Sequence, residues 1–149
     1  MEVKKILWPT DFSRIAEKAL PHVKSLTERY GAQIHVIYVI EDIAHHDGWY
    51  GAFEEKRVKE LMAHANKTAI TRLGQICEKY LDGCPLYIKH VAVGDPAREI
   101  LKLIEKEKVD IVVMASHGEK DHFRFGSVAE KVLKNSPVPV TIIPVEPNA

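Results

Sequence analysis

The chain has 149 residues, enough for one domain with a substantial core, and its 46% hydrophobic and 28% charged residues are ordinary for a soluble globular protein. Lys plus Arg and Asp plus Glu each number 21, so the formal charge is zero with His neutral, and no global field draws the chain to nucleic acid or to an anionic membrane. No apolar run approaches the roughly 20 residues of a membrane span. The start, Met1-Glu2-Val3-Lys4-Lys5-Ile6, runs straight into a strand without a signal-peptide pattern, which points to the cytosol.

Val3 to Trp8 (VKKILW) reads as a first strand, ended by Pro9-Thr10-Asp11. Asp11 or Ser13 can cap the helix that follows, where Ile15, Ala16, Ala19, Leu20, Val23, Leu26 and Tyr30 recur at helical spacing. Pro21 falls inside that pattern and is expected to kink the helix or disturb a turn, and Gly31 closes it. Ile34 to Ile40 (IHVIYVI) is a second strand whose near-continuous apolar character suits a sheet covered on both faces. Glu41 to Gly51 reads as a loop, and a long helix runs from about Phe53 to Leu81. Its stripe of Val58, Leu61, Met62, Ala65, Ala69, Leu73, Ile76 and Tyr80 is expected to pack in the core.

Gly83 and Pro85 precede a third strand, Leu86 to Val93, and Asp95-Pro96 starts a helix that runs to about Lys106. The fourth strand is Ile111-Val112-Val113-Met114, followed by Ala115-Ser116-His117-Gly118 and a polar loop. A helix restarts at Gly126-Ser127 and runs to Asn135, with Ser127 and Glu130 spaced as a capping box. A strand feeding a glycine-containing loop onto a helix N-terminus is a common place to hold an anion, because free N–H groups and the positive dipole end point outward. Val138 to Pro144 makes a fifth strand whose prolines cannot donate to a ladder, which assigns it to a sheet edge.

This alternation of strands and helices favours one α/β domain over residues 1–149 with a mostly parallel sheet. In such sheets ligands sit beyond the carboxyl ends of strands where the strand order reverses. Spacing does not give the order, but the loops after strands one and four carry the polar, turn-forming chemistry. Cys77 and Cys84 suggest neither a disulfide framework nor a zinc site and read as structural thiols. No Walker pattern, G-x-G-x-x-G or G-x-S-x-G is present. His45-His46-Asp47 lacks a third ligand nearby and reads as a solvated loop, so no metal site is expected. Ser116 and His117 are adjacent at a strand end and are expected to point apart, which argues against a nucleophile and base.

ILWPTDFS, YVIED, VAVGDPAREI, VDIVVMASHG and GSVAEKVLKNSPVPVTIIPV, in that order, resemble the universal stress protein family over essentially the whole chain. The resemblance implies a three-layer α/β/α domain around a five-stranded parallel sheet in the order 3-2-1-4-5. The reversal then falls between strands one and four. Members that bind ATP carry a pattern like G-x-x-G, nine residues, then G-[S/T] after strand four. Here Ala115 stands at the first glycine, Gly118 at the second and Gly126-Ser127 at the last pair, with the seven residues Glu119 to Phe125 between.

By the same resemblance, Pro9, Thr10, Asp11 and Val39 would hold the adenosine end, with Met114 packed against it. Ala115, His117, Gly118, Gly126, Ser127 and Val128 would complete the nucleotide site, and Lys120, His122 and Arg124 on the shortened arc are candidates for the phosphates. The ligand implied is ATP or another adenine nucleotide, with Mg2+ if ATP. The resemblance also implies a non-catalytic cytosolic stress-response module, pairing as a homodimer through the edge strand Val138 to Ile143. Nucleic acid and membrane are not expected partners. Two alternatives are a slow ATP-hydrolysing switch and a nucleotide-free interaction protein, in which Trp8 is the residue expected to fill the crevice.

Overall fold

The computed structural model describes residues 1–41, 55–81, 87–117 and 126–145. Strands β1 (Lys5–Pro9), β2 (Gln33–Ile40), β3 (Tyr87–Val93), β4 (Ile111–Ala115) and β5 (Val140–Ile143) alternate with helices α1 (Arg14–Glu17), α2 (Leu20–Tyr30), α3 (Glu55–Tyr80), α4 (Pro96–Glu107) and α5 (Ser127–Asn135). The five strands form one sheet in the order β3-β2-β1-β4-β5, and every neighbouring pair is parallel. This is the order and layering that the resemblance implied.

Side-chain alternation along the strands divides the core into two layers. Ile6, Trp8, Ile34, Val36 and Val113 pack with Ala19, Leu20, Val23, Leu73 and Cys77 from α2, α3 and the turn between α1 and α2. Leu7, Ile37, Val112 and Met114 pack with Ala97, Ile100, Leu103, Ile104, Ala129 and Val132 from α4 and α5. Trp8 therefore belongs to the α2/α3 layer, fully buried, with its indole N–H donating to the Ala16 carbonyl at 3.2 Å. It does not fill a crevice beside Met114, because residues one apart on neighbouring strands face opposite sides of the sheet.

Pro21 divides the first helical region as its chemistry requires. It sits in the first turn of α2, where its missing N–H costs nothing, and α1 ends at Lys18. Gly31 ends α2 in the left-handed conformation at φ 62°. Asp95 caps α4 by accepting from the Arg98 N–H at 3.1 Å, as expected. β5 is shorter than the predicted strand, spanning only the residues between Pro139 and Pro144, and it lies at the edge. The stripe along α3 is not core throughout. Ala69 and Leu73 are buried, as is Cys77 outside the predicted stripe, whereas Leu61 is 48% exposed and Val58, Met62 and Ala65 are only half-buried. At 1.5 Å per residue a helix of 26 residues outruns the seven-residue strand beside it, so its leading turns extend past the sheet.

The amino ends of β1 and β4 are clamped together. One Asp110 carboxylate oxygen accepts from the backbone N–H groups of Lys4 and Lys5 at 2.8 and 2.9 Å. The Asp110 N–H in turn donates to the Lys5 carbonyl, and the Lys5 ammonium reaches the Glu107 carbonyl at 2.8 Å. Because hydrogen bonds to a charged acceptor are stronger than neutral ones, this corner sets the alignment of the two central strands.

On the α4 side, β2 and β3 are joined by a histidine pair that the apolar reading of β2 did not anticipate. His35 Nδ1 lies 2.9 Å from His90 Nε2, the rings stack, and His35 Nε2 is 2.8 Å from the Gln33 side-chain oxygen. Burial first, and then the neighbouring His90, holds His35 below its ordinary 6.5, with Glu107 opposing and Lys5 assisting. Burial likewise lowers His90, against the pull of Glu107 and with the push of Lys106. Below 6.5 the unfolded chain therefore binds protons that the fold resists, so stability falls as pH drops through and beneath that value. Urea midpoints measured from about pH 7.5 to about pH 5.5 should decline in the native protein. The decline should be shallower when both His35 and His90 are replaced by Leu; parallel curves for the two proteins would contradict this.

Candidate functional site

β1 and β4 lie side by side, and the chain leaves them toward opposite faces of the sheet, so a crevice opens beyond their carboxyl ends. The first lip is a tight turn built by short side chains. The Thr10 N–H still donates to Ile37 on β2 at 2.9 Å, while the Thr10 hydroxyl oxygen accepts from the Phe12 N–H at 3.0 Å. Asp11 is exposed, and its carboxylate accepts from both the backbone N–H and the hydroxyl of Ser13. Of the two capping candidates it is Ser13 that caps α1, accepting from the Ala16 N–H at 3.1 Å. Asp11 steadies the cap at one remove.

Phe12 occupies the left-handed region at φ 67°, an uncommon place for an aromatic residue. Its ring packs on Tyr38 at 4.2 Å between centroids and carries the Arg72 guanidinium at 4.3 Å. Those contacts hold the turn at a cost in backbone strain. No residue type in the sequence flagged Phe12 for that role.

Val39 is half-buried against the α4 layer, in register with Ala92. Alternate residues of a strand between two parallel neighbours direct their backbone groups to alternate sides. The Ile37 carbonyl bonds toward β1 and the Ile40 carbonyl toward β3, so the main-chain groups of Val39 are turned toward the lip formed by Thr10. Met114, 6% exposed, lies in the same α4/α5 layer.

The second lip is organised by Ser116. Its N–H donates to the Ile143 carbonyl at 2.9 Å, and its carbonyl accepts from the Gly126 N–H at 2.7 Å. Its hydroxyl oxygen accepts from the Val145 N–H at 3.1 Å and lies 3.2 Å from His117 Nδ1. The expectation that Ser116 and His117 point apart is thus corrected. β4 ends at Ala115, and beyond it strand alternation no longer governs the side chains. At 2% exposure and already bonded to Val145, Ser116 is a buried tie and not an exposed nucleophile. His117 is 3% exposed, and among the described residues its Nε2 has no hydrogen-bond partner.

The expected capping box at α5 is absent. Gly126, buried, is the N-cap, Ser127 is the exposed first helical residue, and no side chain caps the turn. Glu130 is instead paired with Lys134 at 2.8 Å, which holds its carboxyl below the ordinary range. Among the described residues no side-chain acceptor is recorded for the first-turn N–H groups of Ser127 and Val128, as an anion site requires. Ala115 closes β4 in extended backbone, paired with Ile143, and is not among the positive-φ residues. Its methyl group introduces no backbone strain there. Gly118, Lys120, His122 and Arg124 lie outside the described residues, as do His45, His46, Asp47 and Cys84. Cys77 is buried, and desolvation pushes its thiol up to about 11, which suits an inert structural role.

Among the described residues no cluster of three or more His, Cys, Asp or Glu could hold a metal ion, and no helix is long and apolar enough to cross a membrane. The universal stress protein family model matches residues 2–144. The chain is similar to the universal stress protein MJ0577 of Methanocaldococcus jannaschii, 35% identical over 154 residues that span 94% of each protein. The solved structure of that protein superposes with a TM-score of 0.82 and covers 96% of either chain. Two more distant solved structures share the fold. One is a universal stress protein from Archaeoglobus fulgidus in complex with dAMP, 19% identical with a TM-score of 0.60, covering 95% of this chain and 97% of its own. The other is a universal stress protein in complex with cAMP, 16% identical with a TM-score of 0.61, covering 96% and 98%.

Replacing Ala115 by Gly would restore the motif glycine at a strand residue that has no need of it. The Ala115→Gly protein should lose about 0.5–1 kcal/mol of stability through added unfolded-state freedom, read as a lower urea midpoint. A rise in the midpoint would show that the methyl group is strained after all.

Proposed function

The chain belongs to the universal stress protein family, and from that premise we propose that it is a non-catalytic, cytosolic member that holds an adenine nucleotide between the ends of β1 and β4 and pairs with a second copy through β5. The observation that carries the nucleotide reading is the conjunction at the second lip: an α5 N-terminus without a side-chain cap, joined through Ser116 to a buried His117 nitrogen that has no partner among the described residues. A buried polar atom left unpaired costs about 1–3 kcal/mol, and a ligand oxygen would relieve that cost. The N-terminus of α5 supplies dipole and free N–H groups for a phosphate. Thr10, Asp11 and Val39 sit at the opposite lip, where a nucleoside has a carboxylate and main-chain groups to meet.

The ligands named for the two distant relatives are both adenine nucleotides with one phosphate, so the ligand class fits the proposal although the distance in sequence is large. Ala115 raises no backbone objection, and Trp8 faces the other layer, which counts against a crevice filled by the protein's own indole. If ATP is the ligand, Mg2+ would accompany its phosphates. Pairing through β5 follows from its place at the sheet edge, where one row of backbone groups faces away from β4.

Calorimetric titration of ATP, ADP and AMP with Mg2+ present should give saturable binding, weakened on the order of tenfold by His117→Ala, about the worth of one hydrogen bond to a charged group. Phosphate release followed over hours should stay at the background rate. Turnover would favour the hydrolytic switch, and silence from all three nucleotides would leave the interaction protein. Light scattering at micromolar concentration should report a dimer, and a monomer there would defeat pairing through β5.

A further inference from the structure

Ser116 has more bonds than a loop residue needs for its own placement. Its hydroxyl oxygen accepts from the Val145 N–H and lies beside His117 Nδ1, while its backbone is tied to Ile143 and Gly126. With one lone pair given to Val145, the hydroxyl hydrogen finds its acceptor at Nδ1. That assignment places a ring proton on Nε2, the atom that has no partner among the described residues. The reverse arrangement, with Nδ1–H donating, would strand the hydroxyl hydrogen and leave Nε2 bare.

We infer that Ser116 is a positioning residue that sets His117 as an Nε2–H donor toward a ligand oxygen and transmits occupancy of that donor to the carboxyl end of β5 through the Val145 N–H. The inference deepens the nucleotide reading and rests on it for the identity of the ligand. The relay runs Val145 N–H to Ser116 Oγ, Ser116 O–H to His117 Nδ1, and His117 Nε2–H to the acceptor. Bonds in such a chain polarise one another, so an acceptor at one end strengthens the link at the other. Val145 is buried, 7% exposed, and follows directly on the edge strand and Pro144. A nucleotide in the crevice is thereby read at the end of β5, on the far side of β4 from β1.

Two measurements on the full chain test this. Nitrogen-15 NMR of the ligand-free protein should show His117 protonated at Nε2. Ser116→Ala should mix the tautomers, and Ser116→Thr, which keeps the hydroxyl, should restore the native pattern. A native His117 protonated at Nδ1, or a Ser116→Ala spectrum like the native one, overturns the relay whatever the nucleotide does. With saturating ADP, amide exchange at Val145 should slow several-fold in the native protein and stay unchanged in Ser116→Ala protein that still titrates with ADP. Calorimetric binding of ADP with no change at Val145 overturns the relay and leaves the site intact. Calorimetric silence marks the failure of the nucleotide reading itself and removes the ligand step of the relay with it.

Discussion

The handedness of strand–helix–strand connections is the constraint on which the rest of this structure depends. A right-handed crossover between parallel strands places its helix on one face when the chain steps one way along the sheet, and on the other face when it steps back. From β1 to β3 the chain steps outward with α2 and α3 on one layer. It then returns past β1 to β4 and β5 with α4 and α5 on the other. The crevice between β1 and β4 is the geometric consequence of that reversal.

What makes the crevice a defined place is the stiffness at its two ends. At the amino ends of β1 and β4, Asp110 holds Lys4 and Lys5, and the strands enter the sheet aligned. At the carboxyl ends, the Thr10 and Asp11 turns fix one lip and Ser116 fixes the other by bonding to β5 and α5 together. The hydrogen bonds described at the two lips come from short side chains and the backbone, with the Phe12 ring and the Arg72 guanidinium packed at the first. Short hydroxyl and carboxylate groups bond nearby backbone atoms, which costs little conformational entropy. A site preorganised in this way needs less of a ligand's binding energy for ordering.

The sequence revealed the elements where burial acts on periodicity. The β-branched runs of β2 and β4, the Asp95-Pro96 start of α4 and the interruption of the first helical pattern just before Pro21 all followed from local chemistry. Strand order came through resemblance, because spacing alone does not say which strand lies beside β1. Two of the misses turn on a partner outside the local stretch, and one on competition within it. His35 looks out of place in IHVIYVI until His90, 55 residues later, lies beside it. Ser127 and Glu130 have capping-box spacing, but the helix starts one residue earlier in effect, with Gly126 as the cap, and Lys134 takes the glutamate. The leading turns of α3 carry the same apolar stripe as its buried turns, and only the length of the neighbouring strand shows which part is covered.

The departure at Ala115 has to be weighed against what that position asks of its residue. A glycine in a phosphate loop is required for one of two reasons: a positive φ, or a close backbone approach that a Cβ would obstruct. At Ala115 the first reason is absent, since the residue is the last of a paired strand. The second turns on where the methyl points, and strand alternation directs it to the side of Val113, away from Met114 and the α4/α5 layer. The substitution thus removes backbone freedom at a position that does not use it and adds volume on the face away from Val39 and Met114. A change in motif spelling need not be a change in site geometry. The group that distinguishes this lip is Ser116, a position the motif leaves unspecified.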